Sequence, residues 1–182
     1  MRRGAVIATA TTGGLGLLVW GWQAFGPRTG AFAFLIVWVP MTWLGIVSRV
    51  AQPRLPSSYH RLRAFERDGH VYERLGVRAA KLLLRRGPLA FFNPHLHLPS
   101  ERTPEHLARL ERRMEDAEAS HAILFVATLG IVLHAAVRGW WAAASLTLVF
   151  DVLLNGYPVM LQRYNRALLH RRFPTAAAPG RP

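Results

Sequence analysis

Four long apolar stretches constrain the fold of this chain more than any other feature. They cover about residues 5–25, 31–50, 121–137 and 140–162. A transmembrane helix needs roughly 20 mostly apolar residues to cross about 30 Å of hydrocarbon. Because backbone groups inside lipid must be hydrogen-bonded within the protein, each stretch predicts a helix. The expected fold class is therefore an all-α integral membrane protein with four transmembrane helices.

The first stretch has two interpretations. The chain starts with two arginines, and Ala8-Thr9-Ala10 imitates the cleavage site of a signal peptide. The apolar run continues well past that site, to Phe25, which favours a retained transmembrane helix. A turn rich in glycine and proline follows at residues 26–30. Residues 1–50 are therefore predicted to form a helical hairpin.

Charge and composition agree with a membrane protein and exclude several other classes. The net charge is +13 although 51% of the residues are apolar, a combination typical of membrane proteins with basic flanks. The basic residues are arginines except for Lys81, and no nucleic-acid motif is present, so we expect no nucleic-acid partner. With no cysteine, disulfides, thiolate nucleophiles and thiolate metal ligands are excluded.

The distribution of arginine predicts the orientation in the membrane. Of the 23 Lys and Arg residues, only Arg28 and Arg138 lie in the first and third loops; the other 21 lie in the N-terminus, in residues 49–120 and in the tail. By the positive-inside rule, both termini are cytoplasmic. Tryptophans 20, 22, 140 and 141 then fall near the outer interface, where aromatic residues concentrate. We expect a multi-pass protein of the inner or plasma membrane.

Residues 51–120 form the polar part of the chain and are predicted to be a cytosolic or interfacial helical region. Residues 60–86 have the pattern of one or two amphipathic helices, which either lie in the headgroup plane or pack on their neighbours. Thr103-Pro104-Glu105 is a favourable helix start, and one long helix is predicted over about 104–137.

The loop between these helices is bounded by prolines and carries Phe91, Phe92, His95 and His97. The two phenylalanines either dip into the interface or pack. The histidines lack a third ligand at a familiar spacing, so no metal site is predicted. Residues 121–170 are predicted to form a C-terminal helical hairpin with a basic end, and the tail of residues 171–182 is predicted to be disordered.

Glu118 and His121 form the first candidate for chemistry, one helical turn apart at the start of the third stretch. A carboxylate at this spacing can orient an imidazole and raise its basicity, which makes a general base for a hydroxyl nucleophile. The alternative is an interfacial charge pair without a catalytic role.

The second candidate is the end of the fourth stretch. Asp151, Asn155, Pro158 and Gln162 share one helical face at regular α spacing, and polar groups in an apolar helix usually face a bundle interior, cavity or ligand. Arg163 and Arg166, three residues apart, either clamp a phosphate or carboxylate or follow the positive-inside rule. Asp151 lies deeper and is predicted to be a packing or cavity residue.

Three motifs resemble one known family. The ending Asn155-x-Tyr157-Pro158-x-x-x-Gln162-Arg163-Tyr164-Asn165-Arg166 resembles the signature of the glycosyl-4,4′-diaponeurosporenoate acyltransferase family. Upstream, Phe65-Glu66-x-x-Gly69-x-x-Tyr72, leading into Val77-Arg78-x-x-Lys81, resembles its central block. Ala117-Glu118-x-x-His121 resembles its element before the third span. The resemblance covers roughly residues 60–170.

The resemblance implies a membrane acyltransferase that esterifies a hydroxyl of a glycosylated carotenoid, or a related glycolipid, with a fatty acyl group. If the resemblance holds, our hypothesis is that His121 and Glu118 are catalytic and activate the sugar hydroxyl. The resemblance implies substrate contacts by residues of all three motifs: Glu66, Arg78, Lys81, Asn155, Tyr157, Gln162, Arg163, Tyr164, Asn165 and Arg166. No cofactor is expected to be bound, and the acyl donor is acyl-CoA or acyl carrier protein as co-substrate.

Membrane lipid is the remaining partner that we expect, together with association with other enzymes of the pathway. The alternative function is a non-catalytic multi-pass protein that binds lipid or scaffolds a lipid-biosynthesis pathway. The two differ in one requirement, because only the enzyme needs a base and anion-binding groups around one cavity at the cytosolic face.

Overall fold

The structure is a computed structural model, and it describes residues 2–48, 50, 53–86 and 103–174. It confirms the all-α fold class, with no strand among these residues. Four helical stretches are long and apolar enough to cross a membrane: Arg3–Phe25, Gly30–Val47, Pro104–Val137 and Trp141–Arg172.

Contacts group the chain into two compact units. Unit 1 comprises Met1–Arg54 and Ala119–Pro158, and unit 2 comprises Leu55–Glu118 and Val159–Pro182. Each unit thus joins segments that are far apart in the sequence. The predicted division into an N-terminal hairpin, a polar region, a C-terminal hairpin and a tail stays a prediction.

Helices α1 (Arg2–Phe25) and α2 (Gly30–Val47) form a closely packed pair in unit 1. Thr29 caps α2, because its hydroxyl accepts a hydrogen bond from the Phe32 amide at 3.3 Å. Gly21 lies against Leu35 of α2, since a Cβ there would stand 2.5 Å from Leu35 Cδ1. The indole of Trp43 donates to the Thr11 hydroxyl at 3.0 Å, which satisfies two polar groups between apolar helices.

The predicted long helix is confirmed as α6 (Pro104–Val137). A short turn containing Gly139, at φ 72°, leads into α7 (Trp141–Asp151). Phe150 of α7 lies edge-on to Phe34 of α2 at a centroid distance of 5.5 Å. The last helix, α8 (Tyr157–Arg172), follows after five further residues and belongs mainly to unit 2.

A π-helical turn, Val152–Gly156, separates α7 from α8. The sequence predicts unbroken α-helical spacing here, and this prediction is wrong. Pro158 lies four residues after Leu154, and in a regular helix its ring would meet the Leu154 carbonyl while offering it no N–H. We attribute the wider turn before the proline to this conflict. The Tyr157 amide bonds the Val152 carbonyl, five residues back.

Unit 2 contains more short elements than the one or two helices predicted over residues 60–86. They are α3 (Ser57–His60), a 3₁₀ turn (Ala64–Glu66), α4 (His70–Arg74) and α5 (Val77–Arg86). Gly69 and Gly76 separate them, each at φ 77°, where a side chain is disfavoured and a regular helix cannot continue.

Apolar and polar contacts join the segments of unit 2. Leu107 and Met114 of α6 pack with Leu169 of α8 in a buried cluster. Beside this cluster, His170 pairs with Glu111 at 2.8 Å. Phe91, Phe92, His95, His97 and the tail beyond residue 174 lie outside the described residues, so the predictions about them stay predictions.

Candidate active site

Three side chains of unit 1 form a hydrogen-bonded row between two membrane-spanning helices. His121 Nδ1 lies 3.0 Å from Asn155 Oδ1, and Asn155 Nδ2 donates to Asp151 Oδ1 at 2.8 Å. Asn155 and Asp151 are 0% exposed, and His121 is half-buried. The second ring nitrogen of His121, Nε2, makes no hydrogen bond to any described residue.

The contact with Asn155 selects one tautomer of His121. An amide oxygen only accepts hydrogen bonds, so Nδ1 must carry the proton that it donates. In the neutral ring Nε2 then has a free lone pair. An imidazole in this state can accept a proton from a hydroxyl group, which is the chemistry that the sequence predicted for His121.

Glu118 is the centre of a second polar network, in unit 2. Its side chain is fully buried, and its two oxygens accept hydrogen bonds from Arg163 Nη1 at 2.6 Å and Arg166 Nη2 at 2.5 Å. His60 Nδ1 lies 3.4 Å from the same carboxylate. Arg166 also donates to the His60 carbonyl at 2.6 Å. Two arginines therefore neutralise one buried carboxylate from α6.

Glu66 supplies the second carboxylate of this network. Arg163 donates two parallel hydrogen bonds to the Glu66 carboxylate, from Nε to Oε1 and from Nη2 to Oε2, both at 2.8 Å. The Tyr72 hydroxyl and the Arg63 amide also donate to it. Burial raises the pKa of Glu66, but the bonds from Arg163, Tyr72 and Arg63 outweigh it and hold the pKa at about 2. Burial and the bond to Glu66 raise the pKa of Tyr72.

Neither Glu118 nor His121 makes the predicted hydrogen bond with the other. Both oxygens of Glu118 are bound by arginines, whereas His121 bonds Asn155. The physical reason is charge, because a buried carboxylate is stabilised far better by two guanidinium groups than by a neutral imidazole. The orienting contact to His121 is thus an amide, and a catalytic role for Glu118 stays a prediction.

The arginines of the family motif are also engaged inside the protein. All the nitrogens of Arg163 donate to protein acceptors, including the carbonyls of Tyr59 and Arg61 at 3.1 and 3.3 Å. Arg166 is 2% exposed. The predicted clamp for a phosphate or carboxylate is therefore occupied by Glu66 and Glu118, and substrate contact by these arginines stays a prediction.

The other predicted substrate-binding residues differ in accessibility. Tyr164 is buried, donates to Glu73 at 2.8 Å and lies under Lys81, whose ammonium is 5.3 Å from its ring centroid. Lys81 also donates to Asn165 at 2.6 Å. Of the remaining predicted substrate-binding residues, Arg78 is exposed, and Tyr157 and Gln162 are half-buried.

A mostly apolar cavity of about 460 Å³ lies in unit 1, near the turns that join α1 to α2 and α6 to α7. Trp22, Phe32 and Ile131 contribute to its walls, and Gln23 and His134 are among its few polar residues. The cavity is lined by residues near the ends of the helices that these turns join. His121 lies 16 residues before the end of α6 and does not line this cavity.

Sequence reasoning missed the place of two side chains in these networks. His60 is buried beside Glu118, and nothing in its spacing indicates this. Tyr72 is buried beside Glu66 and belongs to the central motif, but it was not predicted to be a site residue. The sequence predicts Asp151 to be a packing or cavity residue, although its position four residues before Asn155 was the available signal for their hydrogen bond. Among the described residues, no cluster of three His, Asp or Glu side chains is arranged to hold a metal ion.

Four helices able to cross a membrane, and a histidine held in one tautomer between two of them, define a multi-pass membrane protein with a candidate general base. The chain belongs to the glycosyl-4,4′-diaponeurosporenoate acyltransferase family, whose model matches residues 56–173. It is accordingly an acyltransferase of the carotenoid-biosynthesis type. No curated protein and no solved structure matches the chain.

Proposed function

We propose that this acyltransferase esterifies a sugar hydroxyl of a glycosylated carotenoid, or of a related glycolipid, with a fatty acyl group at the cytosolic face of the cell membrane. The donor is an acyl thioester, either acyl-CoA or acyl carrier protein. Family membership supports the acyl-transfer class, and the arginine distribution supports the cytosolic face and cytoplasmic termini.

The observation that carries the proposal is the depth of His121. It lies 16 residues before the end of α6 at Val137, which is about 24 Å along the helix. The hydrocarbon core is about 30 Å thick, so the ring lies close to its opposite boundary. The sugar of a glycolipid lies in the headgroup region just beyond that boundary. The base and the sugar hydroxyl are therefore expected at the same level of the membrane.

In the reaction, Nε2 of His121 takes the proton of the sugar hydroxyl while the oxygen attacks the carbonyl carbon of the thioester. The new C–O bond forms, the tetrahedral intermediate collapses, and the C–S bond breaks. The imidazolium then returns its proton to the leaving thiolate, which departs as a free thiol. The products are the ester and the free thiol, and His121 is regenerated.

The proposal is tested by expressing the chain in a host that makes a glycosylated carotenoid acid and analysing lipid extracts by mass spectrometry. The expected result is a new species heavier than the acceptor by one fatty acyl group. His121→Gln should abolish this species at an unchanged protein level in the membrane. The matched control is His134→Gln, on the same helix but lining the cavity near the loops, and it should retain activity.

Two results would contradict the proposal. Ester formation by His121→Gln at the wild-type rate would remove His121 from the mechanism. Absence of any acylated product from a well-expressed wild-type chain would favour the non-catalytic, lipid-binding alternative. Acylation of a glycosyl diacylglycerol, with none of the glycosylated carotenoid, would agree with the proposal and identify the acceptor as the related glycolipid.

A further inference from the structure

We propose that Asp151 is a positioning residue for acyl transfer: acting through Asn155, it holds His121 in the tautomer whose Nε2 is free to accept a proton. This inference rests on the proposed function and goes beyond it, because it assigns a role to a side chain that contacts neither His121 nor the expected substrates. It is supported by the direction of two hydrogen bonds, by the burial of Asp151 and by the local shape of the two helices.

Asp151 sets the donor-to-acceptor direction of the hydrogen bonds in the row. Oδ1 of Asp151 accepts a hydrogen bond from the Asn155 amide nitrogen at 2.8 Å. This oxygen is the acceptor, so Asn155 turns its NH₂ group toward Asp151. Its oxygen then faces His121, and His121 must place its proton on Nδ1. Without Asp151, the amide of Asn155 is free to rotate by 180°, and the reversed amide would stabilise the opposite tautomer.

The burial of Asp151 is difficult to explain by packing alone. The residue is 0% exposed and lies ten residues into α7, about 15 Å from Trp141 and hence near the middle of the membrane. Its Oδ2 has no hydrogen-bond partner among the described residues. Ionisable groups at this depth are costly, and an apolar residue of similar size would avoid that cost. Such residues in membrane spans are characteristically functional.

The backbone around Asn155 is shaped to bring the row together. Asn155 lies on the π-helical turn, and π turns inside α-helices are frequent at functional sites. The next residue is Gly156, where a Cβ would stand 3.3 Å from the Phe125 ring. Phe125 is four residues after His121 on α6, so both lie on the same face of that helix. The missing side chain of Gly156 thus lets α6 approach closely enough for His121 to reach Asn155.

The test compares Asp151→Asn and Asp151→Leu in the full-length protein, reconstituted in phosphatidylglycerol vesicles with the acylated product as readout. Asp151→Asn is nearly isosteric, but its amide can accept or donate, so it no longer orients Asn155. We expect kcat to fall by the factor by which the competent tautomer is depleted, about 2- to 10-fold for a mixture of the two tautomers, with the KM for the acceptor unchanged. The matched control is Thr147→Val, a buried polar residue one turn earlier on α7.

A second readout measures the tautomer directly and needs no activity. In protein labelled with ¹⁵N in its histidine rings, the His121 signals are identified by their loss in His121→Gln. The wild type should show a single tautomer protonated at Nδ1, and Asp151→Asn should show a mixture of the two. A purely structural role for Asp151 would leave the ring signals unchanged in whatever protein remains folded.

The outcomes separate this inference from the proposed function. If the wild type acylates no glycolipid but Asp151→Asn still shifts the tautomer, the proposed function fails, and what stands is the control of the His121 tautomer by Asp151. If the wild type is active and both Asp151 variants retain its kcat and its single tautomer, the positioning role is overturned. A loss of activity equal to that of Thr147→Val, with no change in the ring signals, overturns it as well.

Discussion

Arg166 and Glu118 form an ion pair inside unit 2 that is almost completely withdrawn from solvent. Arg166 Nη2 lies 2.5 Å from Glu118 Oε2, and the two side chains are 2% and 0% exposed. The second oxygen of Glu118 binds Arg163, which in turn binds Glu66, so two arginines balance two carboxylates. The Gln-Arg-Tyr-Asn-Arg ending of the family motif therefore supplies the cations of a buried network that holds unit 2 together.

Removal of the central carboxylate should destabilise the protein strongly. In Glu118→Gln, Arg166 keeps only the more distant Glu115 and Arg163 keeps only Glu66, and breaking a buried pair in this way costs about 3–5 kcal/mol. Glu115→Gln is the matched control on the same helix, because Glu115 is 21% exposed and lies 3.6 Å from Arg166. We expect the control to cost under about 1 kcal/mol. Denaturant unfolding in detergent measures both values, and equal losses would contradict the central role of Glu118.

The pKa of Glu66 predicts a loss of stability in acid. The folded-state pKa of about 2 lies below the ordinary value of 4.5, so ionised Glu66 favours the folded state. This contribution is fully present above pH 4.5 and is lost as the pH falls from 4.5 toward 2. Thermal unfolding of the detergent-solubilised protein at several pH values in this window should show the decline. Glu66→Gln should be less stable at pH 6 and show a shallower decline, and an unchanged slope would contradict the assignment.

Substitution of Gly69 by alanine should lower the free energy of unfolding by more than the backbone strain alone. Gly69 has φ 77°, and an added Cβ would stand 3.1 Å from the Tyr164 ring, which bonds Glu73 and lies under Lys81. Gly139 is the matched control, with φ 72° and nothing within 4 Å of an added Cβ. Gly139→Ala should therefore show only the left-handed backbone strain, about 1–2 kcal/mol. Gly69→Ala should exceed that value in the same unfolding assay, and equal effects would show that Tyr164 adjusts freely.

The orientation in the membrane can be tested without removing any native cysteine, because the chain has none. Arg28→Cys and Arg138→Cys replace exposed residues in the two loops predicted to be outside, and Arg109→Cys replaces an exposed residue of α6 predicted to be inside. A membrane-impermeant maleimide should label the first two in intact cells. It should label Arg109→Cys only after permeabilisation. The reverse pattern would invert the topology and place His121 at the outer face.

The membrane fold could be predicted from the sequence because hydrocarbon imposes a local rule. A stretch such as residues 5–25 must form a helix if it lies in lipid, whatever the rest of the chain does. The start of α6 at Pro104 was predicted for the same kind of reason, since capping depends on only a few neighbouring residues. The candidate base His121 was found by its motif, but its true hydrogen-bond partner was not.

Partner choice depended on tertiary structure. Glu118 is three residues from His121 in the sequence, yet its carboxylate binds arginines more than 40 residues away. Likewise, His121 bonds an amide 34 residues away, on a π-helical turn that regular spacing did not predict. The sequence alone determined which segments are helical and membrane-spanning, because burial in lipid acts on each segment separately. Only the tertiary structure decided which polar groups meet, because a buried charge is stabilised by whichever counter-charge the packed helices bring within hydrogen-bonding distance.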